Sequence, residues 1–84
     1  MKPPAGIKYY PAPETDRIQG CMPGYFVQLD GFVVAQVARY LPSYGRGWRV
    51  VMTTNDKRFV SHTLSAALID VKRNAAPTGH VASV

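Results

Sequence analysis

Apolar and polar side chains alternate in short stretches through the middle of the chain, then change to helical spacing. Over residues 25–29, Tyr25, Val27 and Leu29 fall on one side and Phe26 and Gln28 on the other, which is the period of a strand. Asp30 and Gly31 follow, two residues that tolerate the positive φ of a two-residue type I′ turn. Residues 32–41, rich in valine and aromatic side chains, supply the returning strand. A two-residue turn sets the register, so that Leu29 faces Phe32, Val27 faces Val34 and Phe26 faces Ala35. Residues 42–47 read as a loop by composition. A third strand spans residues 48–54, with Trp48, Val50 and Met52 on one side and Arg49, Val51 and Thr53 on the other. Asn55 and Asp56 turn the chain again, pairing Met52 with Phe59 and Thr53 with Arg58 in a short fourth strand over residues 58–60.

Beyond this, Leu64, Ala67, Leu68 and Val71 lie at i, i+3, i+4 and i+7, one stripe of a helix. Ser61 or Thr63 can cap it, Lys72 and Arg73 suit its last turn, and Asn74 and Pro77 end it. The prediction is an α+β domain over residues 24–73: an antiparallel three- or four-stranded meander with one C-terminal amphipathic helix. Residues 1–23 carry Pro3, Pro4, Pro11, Pro13 and Pro23 and read as a Pro-rich, partly extended tail. Its Ile7, Tyr9, Tyr10, Ile18 and Met22 can pack across the sheet. Residues 74–84 read as a flexible C-terminal tail. The order of three strands and then one helix is similar to that of the small DNA-binding domains at the N-termini of phage-type integrases. That similarity is one of element order and transfers no residue role.

In this register both sheet faces are apolar. Tyr25, Val27, Leu29, Phe32 and Val34 share one, and Phe26, Val33, Ala35, Val37 and Leu41 share the other. One helix covers one face. The second, with Phe26, Val33 and Val37 as its apolar interface, requires the N-terminal tail, a second copy of the chain as a homodimer, or another partner.

Composition narrows the function. Eighty-four residues make one domain, and the patterned part is small enough to need extra support. Cys21 is alone, so no internal disulfide supplies it, and a reduced, cytoplasmic setting is expected. No apolar run approaches the ~20 residues that span a bilayer. Pro3, Pro4 and Gly6 interrupt the stretch where a signal peptide is apolar. His62, His80 and Cys21 lack metal-ligand spacing. The surroundings of Cys21 match no reactive-cysteine signature, and no carboxylate pair suggests general acid–base work. Gly45-Arg46-Gly47 lacks the length and the lysine of a phosphate-cradling loop. The expectation is a non-catalytic protein without metal or cofactor.

A net charge of +5 favours an acidic partner. Arg39, Arg46, Arg49, Lys57 and Arg58 cluster in sequence, interleaved with Tyr40, Tyr44 and Trp48. Cations neutralise phosphates and aromatic faces stack on unpaired bases. Two functions fit: a nucleic-acid-binding module using Arg39, Tyr44, Arg46, Trp48, Arg49, Lys57 and Arg58, or a protein-interaction or inhibitor module of the phage or mobile-element accessory kind. The second docks an acidic protein surface through the same basic loop and the open apolar face.

Overall fold

The computed structural model describes residues 2–82, with side chains as far as Ala75. Strands β1 (Ile7–Pro11), β2 (Tyr25–Leu29), β3 (Phe32–Arg39), β4 (Trp48–Met52) and β5 (Arg58–Ser61) precede one helix, α1 (Leu64–Ala82). A single 3-10 turn, Glu14–Asp16, lies between β1 and β2. The fold is α+β, as the patterning predicts, but the antiparallel sheet has five strands in the order β1-β2-β3-β4-β5. The additional strand comes from the segment read as a tail. Ile7 lies opposite Leu29 and Pro11 opposite Tyr25, so β1 completes the unpaired edge of β2. Proline is tolerated in an edge strand, and the prolines around residues 7–11 delimit the strand without breaking it. Ile7 is 3% exposed and belongs to the core.

The hairpin between β2 and β3 departs from its predicted register after two pairs. Asp30 and Gly31 both have positive φ, 52° and 89°, and Leu29 does face Phe32. Gln28 faces Val33, but Val27 then faces Ala35 and Phe26 faces Gln36. The expected pairs Val27–Val34 and Phe26–Ala35 do not form. Val34 is the extra residue of a β-bulge, and a one-residue slip reverses the alternation of everything beyond it. In the unbulged register Gln36 would point into the core while Ala35 and Val37 pointed away from it. The bulge exchanges them. Val34, Ala35 and Val37 all join the buried cluster, and the Gln36 side chain instead donates to the backbone carbonyl of Asp16.

That exchange gives the domain one core where two apolar faces were expected. Ile7, Val27, Ala35, Val37, Val50 and Met52 form its sheet side, and Ala67, Leu68 and Val71 form the predicted stripe of α1 against it. Thr63 is the N-cap: its Oγ1 accepts from the Ala66 amide at 3.1 Å. Ser61, the other cap candidate, is buried and donates to Asp70 Oδ2 at 2.6 Å. The helix passes its expected stop. The side-chain amide of Asn74 donates to the Asp70 carbonyl one turn back, at 2.8 Å, and α1 continues to Ala82. The backbone over residues 74–82 is therefore helical where a tail was expected; Met1, Ser83 and Val84 lie outside the described residues.

Strands β4 and β5 pair two residues away from the expected register, with Val51 opposite Arg58 and Val50 opposite Phe59. An even shift preserves both faces, so Arg49 and Arg58 still share one. The longer connection is held by Asn55 Oδ1, which accepts the Lys57 amide at 3.1 Å, and by positive φ at Asp56, 59°. On the sheet face away from α1, the β1–β2 connection folds back as a partial cover. Cys21 bridges to Tyr40, the Leu41 amide donates to the Gly20 carbonyl, and Cys21 and Ala38 are fully buried.

Candidate nucleic-acid interface

The loop at residues 42–47 leaves the end of β3 and returns at the start of β4. Gly45 and Gly47 have φ of 137° and 98°, which let a short connection reverse. At Gly47 a Cβ would also lie 2.8 Å from the Ser61 carbonyl oxygen, so the loop base sits tightly against β5. Arg46 and Tyr44 are thereby presented at the end of the sheet, and both are exposed.

Two open grooves meet there. The first, of about 830 Å³, is lined by Arg39, Tyr40, Arg46, Trp48 and His62 among others. The second, of about 530 Å³, is lined by Ile18, Tyr40, Tyr44, Arg49, Val51 and Arg58 among others. Strand alternation explains the division. Arg39 pairs with Trp48 and Trp48 with Ser61, on the face that carries the helix. Arg49 and Arg58 lie on the opposite face, with Val51 opposite Arg58. Tyr40 lines both grooves, and its hydroxyl accepts from Arg49 Nη1 at 3.0 Å. Among the described residues, no carboxylate lines either groove.

Apart from Lys57, the sequence-predicted set is thus gathered in the two grooves that share Tyr40, around both faces of the sheet, with Arg58 joining from beside the β4–β5 turn. Arg39, Arg46 and Trp48 stand in the first groove and Tyr44, Arg49 and Arg58 in the second. Lys57 lines neither; it belongs to the β4–β5 turn at the other end of β4. The two aromatic candidates differ in freedom. Tyr44 is 64% exposed, whereas Trp48 is half-buried and stacked on Tyr25 with ring centroids 6.3 Å apart. The predicted apolar interface is not one surface. Val37 is fully buried under α1, Phe26 lies on the opposite face with its ring 6.0 Å from that of Tyr10, and Val33 is exposed at the bulge.

Ile18, Gln19 and His62 are groove residues that sequence reasoning does not find. Ile18 and Gln19 arrive from a loop about twenty positions away, with no local signal. His62 reads from sequence only against metal-ligand spacing, yet it is exposed at the rim of the first groove. Cys21, two residues beyond Gln19, is fully buried. Burial pushes its thiol pKa up, opposed by the nearby positive charges of Arg49 and Arg17. Among the described residues no helix is long and apolar enough to cross a membrane.

Comparison with protein-family models, curated proteins and solved structures finds no match. The likeness in element order to integrase DNA-binding domains is also weakened, because the sheet has five strands and not three.

Proposed function

We propose that this chain is a small, non-catalytic nucleic-acid-binding module whose contact surface is the end of the sheet around the 42–47 loop. The observation that carries the reading is the pair of grooves meeting at Tyr40, which gather Arg39, Arg46, Arg49 and Arg58 with exposed tyrosine and no lining carboxylate. Guanidinium groups match phosphate geometry and remain charged at any working pH. Lys57 takes no part in this surface.

The test is fluorescence anisotropy with labelled single-stranded and duplex oligonucleotides at low salt. Binding is expected, with charge reversal by Arg46→Glu together with Arg58→Glu abolishing it while the circular dichroism spectrum is retained. Both residues are exposed, so the fold tolerates the change. Absence of binding to every oligonucleotide would turn the reading toward an acidic protein partner.

A further inference from the structure

Resting on the nucleic-acid reading, we infer that the ligand is a single strand, DNA or RNA, which passes over the end of the sheet from one groove into the other across Tyr40.

The geometry separates this from duplex binding. Reading base edges in the major groove of a duplex takes a helix or a two-stranded β-ribbon that can enter it. Helix α1 has no basic face for this. Its cations among the described residues are Lys72 and Arg73, and Lys72 Nζ is committed to the Ala5 carbonyl at 2.8 Å. The sheet face away from α1 is not free for it either, because the β1–β2 connection crosses it and is tied to Gln36 through Asp16. The cationic surface is instead concave and divided between two sheet faces. A rigid double helix cannot follow a path that turns around a sheet edge. An unpaired strand can, since its backbone bonds rotate.

The aromatic placement agrees. Tyr44 stands 64% exposed in the second groove, with a ring face available to a base. Unpaired bases stack on such faces with little sequence preference, whereas a paired base has no free face to offer. Tyr40 at the junction is held in place by the bond from Arg49, so the crossing point is pre-formed.

The experiment measures affinity for oligo-dT and oligo-U of about 4 to 16 nucleotides and for a duplex of matching length. Single strands are expected to bind at least tenfold tighter than duplex, with affinity rising with length until both grooves are filled. Tyr44→Ala is expected to weaken single-strand binding about tenfold while Tyr44→Phe preserves it. Equal or tighter duplex binding overturns the single-strand inference and leaves the nucleic-acid reading standing. Loss of all binding overturns both. Unchanged affinity in Tyr44→Ala removes stacking, and with it the proposed path.

Discussion

Cys21 is fully buried between the β1–β2 connection and β3, and desolvation raises its pKa more than Arg49 and Arg17 lower it. A raised value means that the folded protein keeps the thiol proton at a pH where the unfolded chain has released it. Stability is therefore unaffected below the ordinary thiol range and declines as pH rises through it. The native protein is expected to react slowly with a thiol-specific reagent at pH 8 and rapidly in denaturant. Thermal unfolding should also show a steeper loss between pH 8 and 10 than in a Cys21→Ala variant. Fast native labelling would show that the connection does not seal this site. Among single residues, Asp30, Gly31 and the α1 stripe are legible in the sequence because each carries its reason locally. The burial of Cys21 has no such local sign; it depends on a strand end about twenty residues away.

At the scale of elements, β1 and the bulge at Val34 escape a reading of the sequence, for different physical reasons. Five residues flanked by prolines look irregular when read alone, since the edge they complete belongs to β2. The bulge is a collective choice, favoured because it exchanges a buried glutamine for Ala35 and Val37. Neither Val33 nor Val34 announces it. If β1 is integral to the core, Ile7→Ala should cost about 2 to 5 kcal/mol in chemical denaturation, as truncation of a buried isoleucine does. A loosely draped tail would lose almost nothing, so a midpoint unchanged by the substitution would contradict the five-stranded description.

For the whole molecule, the basic and aromatic composition of residues 39–58 is visible in the sequence, but its arrangement is not. Strand alternation sends Arg39 and Arg49 to opposite faces, and only the ends of β3 and β4 reunite them around Tyr40. Two to four arginine–phosphate contacts predict a log–log salt slope of roughly −1.5 to −3 for a single strand. Arg58→Gln should make that slope shallower by about 0.7, whereas Lys57→Gln should leave it unchanged. An equal effect of Lys57 would place the contact surface elsewhere. The sequential strand order has a consequence for biosynthesis. Every strand pairs with its chain neighbours, so the sheet can assemble from local contacts as it is made, at little loop-closure cost. The helix that packs against β2, β3, β4 and β5 comes after all of them. Until α1 has emerged from the ribosome, Val27, Val37 and Val50 form a nearly finished apolar sheet surface without its cover. That interval is when the nascent chain most invites a chaperone or a misplaced neighbour.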